Sequence, residues 1–147
     1  MKAYIIGEAG SCHEGNLELA KKLIDMVKDA SADAVKFQYY HSGAAVAARR
    51  KAPQFAEMYE HYRLPAEWLP ILQQYAASRG LDFLCTTYMD EDIEVVAPYV
   101  DAFKIASGDI TYAPLVKKIG KTGKRVFLST GAADTGEIKR ALGWLGD

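Results

Sequence analysis

Two lysines of this chain sit inside apolar runs. Lys36 lies in Ala34-Val35-Lys36-Phe37-Gln38, and Lys104 in Ala102-Phe103-Lys104-Ile105-Ala106-Ser107-Gly108-Asp109. Burying an unpaired ammonium is costly, so each head is best explained if it meets an anion where its run opens into polar residues. Hydroxyls end other apolar runs: Thr86 after Leu84-Cys85, and Ser129 with Thr130 after Phe127-Leu128. Compact lysine charges surrounded by Thr86, Ser107, Ser129 and Thr130 would make a pocket for a phosphate, or for a ligand carrying phosphate and carboxylate. Glu8 and Asp109 could bind hydroxyls of a second, neutral substrate or move protons. Gln38 could read a polar edge from the same side.

Plainer readings exist for each residue. Lys36 and Lys104 could snorkel to solvent or pair with Glu8 and Asp109 as structural ions. Ser129-Thr130-Gly131 could be a helix-start turn only. His13, in a Gly-rich turn, reads as a satisfied loop histidine, and Cys85 as a small buried hydrophobe. His41 and His61 have no partner at metal-ligand spacing. Tyr39, Tyr40, Tyr59, Tyr62 and Trp68 read as packing, and Arg49-Arg50-Lys51 as a solvated face.

The elements that must carry these residues alternate along the whole chain. Apolar runs predict strands over residues 3–9, 34–38, 81–85, 102–106 and 125–128. Apolar positions at helical spacing, with Asn16 as a cap, predict a helix over 17–30. Residues 66–79 form an amphipathic helix ended by Gly80, and 135–145 another. A helix opens at Asp90-Glu91-Asp92, where acids favour its positive end, and Pro98 closes it. A short helix covers 110–119. Residues 39–52 read as a long excursion or a short helix, and 53–62 as helical. Strands alternating with helices predict α/β with a parallel sheet. Each strand ends in polar groups, as the strands of a (β/α)8 barrel do around its site. An open doubly wound sheet is the rival, but Gly10 and Gly15 are spaced wrongly for its Gly-rich phosphate loop.

Bulk properties bound the partners. The chain has 147 residues, half of them hydrophobic, and a net charge of −1. That suits one soluble domain and gives no general attraction to nucleic acid or to an anionic membrane. No apolar run approaches a membrane span or a signal peptide. Two cysteines, Cys12 and Cys85, suit reduced thiols in a cytoplasmic protein.

Six collinear blocks carry a family resemblance. They are Ile6-Gly7-Glu8-Ala9-Gly10 with His13-Glu14-Gly15-Asn16-Leu17, Ala32 to Gln38, Phe83-Leu84-Cys85-Thr86, Phe103 to Gly108, and Leu128-Ser129-Thr130-Gly131. Together they resemble the sialic acid synthase (N-acetylneuraminate synthase) family. The resemblance implies a (β/α)8 TIM barrel that condenses phosphoenolpyruvate with an N-acetylated amino sugar such as N-acetylmannosamine, giving a nine-carbon 2-keto sugar acid and phosphate. It implies that Lys36, Lys104, Thr86 and Ser107 hold phosphoenolpyruvate, and that Glu8 and Gln38 lie beside the sugar and the reacting carbons. It also implies a divalent metal, Mn or Mg, whose histidine ligands sit on later strands, and a homodimer of the full-length form.

A full barrel needs about 250 residues. Residues 1–147 are therefore expected to be the N-terminal portion of the barrel, about its first five βα units, without the C-terminal antifreeze-like domain of many members and inactive as a synthase alone. Cys12 replaces the usual Asn, Thr87 a common Pro, and Asp109 the usual Glu, so a variant sugar is compatible. A Schiff-base aldolase using Lys104, or a non-catalytic half-barrel binding a phosphorylated metabolite, are the alternatives.

Overall fold

The computed structural model describes residues 3–146. Five parallel strands form one sheet in the order of the chain: β1 (Ile6–Gly10), β2 (Ala34–Tyr39), β3 (Asp82–Thr87), β4 (Ala102–Ile105) and β5 (Arg125–Leu128). Helices α1 (Leu17–Asp29), α2 (Gly43–Arg49), α3 (Ala56–His61), α4 (Trp68–Ser78), α5 (Ile93–Val96), α6 (Ala113–Gly120) and α7 (Thr135–Gly146) fill the connections. Consecutive parallel strands in sequential order are the wall of a barrel wound in one direction, whereas a doubly wound sheet reverses its order. Among the described residues β1 and β5 are the two open edges.

The two faces of the sheet differ. On one, Val35, Phe37, Phe83, Cys85, Phe103 and Ile105 pack against Ala20 and Ile24 of α1, Leu69 and Leu72 of α4, and Leu115 and Ile119 of α6. Full burial of each such Leu, Ile or Phe contributes about 1.5–3 kcal/mol, so this layer holds the helices on the sheet. The other face carries a small cluster at its amino end, Ala34, Leu84 and Ala102 with Ile6 and Phe127. Because side chains alternate, the next inward positions toward the carboxyl ends are Glu8, Lys36, Gln38, Thr86 and Lys104. The sheet is curled: Tyr4, just before edge strand β1, stacks on Phe127 of the opposite edge strand at 5.8 Å.

The sequence boundaries hold to within a few residues, and the polar ends are built as capping chemistry requires. Asn16 Oδ1 accepts from the Leu19 N–H at 3.0 Å and starts α1. Asp134 and Glu137 form a reciprocal capping box at α7. The ambiguous stretch after β2 is helical, with Ser42 Oγ capping α2. Gly43 is required there, because a Cβ would lie 2.3 Å from the Glu60 nitrogen where α2 and α3 touch. Pro98 does not close the helix opened at Asp90; it sits inside a further 3-10 turn, Ala97–Tyr99, whose first-turn position needs no N–H. No helix among the described residues is long and apolar enough to cross a membrane.

Candidate active site

Strand register brings the polar heads together. Glu8 is paired with Lys36 across β1 and β2. One step toward the carboxyl rim, Gln38, Thr86 and Lys104 lie in a row across β2, β3 and β4. Lys36 reaches along its own row into this one: its Nζ donates to Thr86 Oγ1 at 3.0 Å and ion-pairs with the Glu8 carboxylate. The Lys36 side chain is 9% exposed and that of Glu8 52%. The pair thus sits with one end in protein and the other at solvent.

Lys104 shares this face but not these partners. Its Nζ donates to the Ile105 carbonyl at 3.0 Å. Burial pushes its pKa below the ordinary lysine value, and the nearby Lys36 charge pushes it further the same way, with Glu8 and Asp109 opposing. Lys36 donates to Thr86, and Thr86 is the register partner of Lys104, so the two lysines lie on one face of the sheet.

Gln38 is held by hydroxyls. Its Oε1 accepts from Tyr88 at 2.7 Å and from Ser11 at 3.4 Å. That fixes the amide flip and leaves the NH2 group on the side of Gly10. Gly10 ends β1 at a register shift and has φ of +54°. A Cβ there would lie 3.3 Å from Glu8 Oε1 and 3.5 Å from Gln38 Nε2, so glycine lets both polar heads crowd the strand end. Glu8, Gly10, Ser11, Cys12, Gln38 and Tyr62 line an open cleft of about 470 Å³ at this point. A polar hollow of similar size, about 480 Å³, lies around Lys28, Asp33 and Asp82 at the opposite end of the strands, away from Lys36 and Lys104.

Ser107 starts a 3-10 turn, Ser107–Asp109, directly after β4 and is half-buried. Ser129 extends the β4–β5 pairing, its N–H donating to the Ile105 carbonyl at 3.1 Å, while Thr130 is exposed. Alternation gives Ser129 the inward parity of Phe127 and Thr130 the other parity.

Asp109 and the Arg49-Arg50 run depart from the sequence reading. Asp109 is 1% exposed, and its carboxylate holds both guanidiniums: Arg49 on Oδ1, and Arg50 on Oδ2 at 3.0 Å. Arg49 lies over the Tyr112 ring and Arg50 over the Tyr88 ring, each at 4.7 Å. Arg49 and Arg50 are therefore a clamp that ties the α2–α3 lobe to the β4 loop, not a solvated face. Asp109 is the clamp's centre, so its oxygens are committed to arginine. Tyr88 joins the clamp to Gln38, so the lobe and the strand ends share one network.

The clamp was invisible in the sequence because its members are about 60 positions apart. The adjacency of two arginines on a helix that could have been a loop was its only trace. His41 was likewise unassigned, yet its Nδ1 lies 2.7 Å from Asp92 Oδ1 and its backbone N–H also reaches that carboxylate. His13 is fully buried; Nδ1 accepts from the Gly15 N–H at 3.1 Å, while Nε2 has no hydrogen-bond partner. Burial lowers its pKa, and the unpartnered Nε2 departs from the satisfied loop histidine that the sequence suggests. Among the described residues no three His, Cys, Asp or Glu side chains converge as a metal site needs. The metal implied by the resemblance finds no fit in them.

Comparison with known proteins follows the same lines. Residues 23–147 match the sequence model of the NeuB family. The protein MJ1065 of Methanocaldococcus jannaschii is 39% identical over 140 residues, spanning 95% of this chain and 41% of that protein. The N,N'-diacetyllegionaminic acid synthase of Campylobacter jejuni is 35% identical over 153 residues, spanning 96% of this chain and 46% of the synthase. The chain thus spans less than half the length of these curated relatives. Among solved structures, the N-acetylneuraminic acid (sialic acid) synthetase of Leptospira borgpetersenii, in complex with citrate, superposes with a TM-score of 0.87 at 29% identity. The match covers 99% of this chain and 50% of that one.

Proposed function

Because this chain belongs to the NeuB family, we propose that it forms the phosphoenolpyruvate-binding wall of a sugar acid synthase barrel. The reaction would join phosphoenolpyruvate to the open-chain aldehyde of an N-acylated amino sugar, giving a nine-carbon 2-keto sugar acid and phosphate. The observation that carries this reading is the shared inward face of Lys36, Thr86 and Lys104 on adjacent strands. Residues 1–147 would be the amino-terminal portion of the barrel domain, and the homodimer belongs to the full-length form in the same proposal. The free thiols Cys12 and Cys85 suit a cytoplasmic setting.

In this reading Lys36 and Lys104 grip the phosphate and carboxylate, with Thr86 and Ser107 donating neutral hydrogen bonds. Ser129 and Thr130 extend the hydroxyl rim. Fixing the ligand in this way aims its terminal carbon at the acceptor, and the paired charges stabilise phosphate as it leaves. The enol carbon attacks the aldehyde carbon, and the aldehyde oxygen takes a proton. Water then adds to the cationic carbon, a proton is lost, and the C–O bond to phosphate breaks. Glu8 and Gln38 border the cleft where the acceptor would sit, so Glu8 is the group placed to move a proton there. Asp109, bound by two arginines, shapes the rim rather than touching the sugar.

Calorimetric titration of phosphoenolpyruvate into the chain tests the reading. Binding is expected, with a loss of about tenfold or more in Lys104→Ala, the size of one removed charge-assisted contact. Binding unchanged in Lys104→Ala would remove the lysine grip. The chain alone is expected to make no keto acid from phosphoenolpyruvate and N-acetylmannosamine.

A further inference from the structure

The two lysines of the rim are not equivalent. The Lys36 head is occupied by the Glu8 carboxylate and the Thr86 hydroxyl. Lys104 has a backbone carbonyl as its hydrogen-bond partner, and among the described residues no carboxylate forms an ion pair with it. It is half-buried at the end of β4, and its register partner Thr86 takes the hydrogen bond of the second lysine, Lys36. An amine that is partly desolvated, has no ion-paired carboxylate among the described residues and shares its face with another cation meets the conditions that turn a lysine into a nucleophile.

We propose that Lys104 Nζ forms an imine with small 2-oxo acids, whose carboxylate is anchored by Lys36 in exchange for the solvent-facing Glu8 carboxylate. The idea rests on the reading of the lysine pair as an anion grip and adds a covalent activity to it. The Nζ lone pair attacks the ketone carbon, giving a carbinolamine. Loss of one water from that adduct leaves the C=N bond, so amine and ketone become imine and water. Burial and the Lys36 charge lower the Lys104 pKa against the opposing Glu8 and Asp109 charges, which raises the free-amine fraction. A phosphate anion bound at the rim acts oppositely: it favours the ammonium and fills the anchor. Phosphoenolpyruvate is therefore expected to protect Lys104.

Pyruvate with sodium borohydride tests this on the full 147-residue chain. Hydride adds to the imine carbon and solvent supplies the nitrogen proton, leaving a stable secondary amine that peptide mass mapping locates. The expected result is one adduct, at Lys104, formed about tenfold faster than at exposed lysines such as Lys22, Lys51 and Lys121 for each unit of lowered pKa. It should disappear in Lys104→Arg, slow in Lys36→Met, and be suppressed by phosphoenolpyruvate. Adducts spread over the exposed lysines, no adduct at Lys104, or trapping indifferent to phosphoenolpyruvate in a chain shown to bind it would each overturn it. Lys104-dependent phosphoenolpyruvate binding without trapping would leave the proposed function standing and remove only the imine. Trapping without such binding would do the reverse.

Discussion

Replacing Asp109 by Asn tests whether the two-arginine clamp holds the α2–α3 lobe on the sheet. Asp109 is 1% exposed, and the Arg49 and Arg50 side chains are 15% and 32% exposed. Asn keeps the shape and one acceptor but leaves two guanidiniums facing each other without an anion. Breaking a fully buried ion pair costs about 3–5 kcal/mol. The arginines retain some water, which screens the loss, so about 2–4 kcal/mol is expected. For a chain of this length, each kcal/mol lowers Tm by roughly 2–4 °C, so a 3 kcal/mol loss gives a drop of roughly 6–12 °C. Thermal unfolding followed by circular dichroism reads the drop, and urea titration reads the free energy. A double-mutant cycle with Arg50→Met should give a coupling of about 1–3 kcal/mol, because the residues are in direct contact. A drop under about 2 °C, or zero coupling, would show that the clamp does not carry the lobe.

Lys104 has a folded pKa below its ordinary value of 10.5, first through burial and then through Lys36. Between the two values the unfolded chain holds more protons, so stability rises with pH in that window and the lysine's penalty is fully present below it. Lys104→Met should therefore raise Tm at neutral pH, with the gain shrinking as pH approaches 10.5; a gain that grows with pH would contradict the sign. Cys12 is exposed, whereas Cys85 is buried and its thiol is pushed up by burial. A thiol reagent should therefore label one cysteine in the native chain and the second only on unfolding, and rapid labelling of both would mean that β3 is not packed as described.

Much of the fold was legible because its signals are local. Runs of apolar residues a few positions long, separated by helix-period stretches, can bury both sides of a strand only in a parallel sheet with helices laid against it. Asn16 and Gly80 mark helix ends by their own backbone preferences. The stretch from Tyr39 to Ala52 was ambiguous for a physical reason: its alanines and arginines suit a helix, but Ser42-Gly43 suits a turn. The contact of α2 with α3 at Gly43, together with the anchoring of Arg49 and Arg50 on Asp109, decides for the helix. Pro98 misled because proline breaks a long helix but is tolerated at the start of a short turn.

By itself, the order of residues determined which side chains leave each strand end and on which face, since alternation along a strand is a property of the backbone. Glu8, Lys36, Gln38, Thr86 and Lys104 were therefore identifiable before any coordinates. Only the tertiary structure decided how those groups divide their charges. Lys36 takes Glu8 because β1 lies beside β2, Lys104 is left with a carbonyl, and Asp109 is claimed by arginines from a helix about 60 positions earlier. Partner choice among charges depends on distances set by register and packing, and those are fixed only when the sheet curls and the lobe docks.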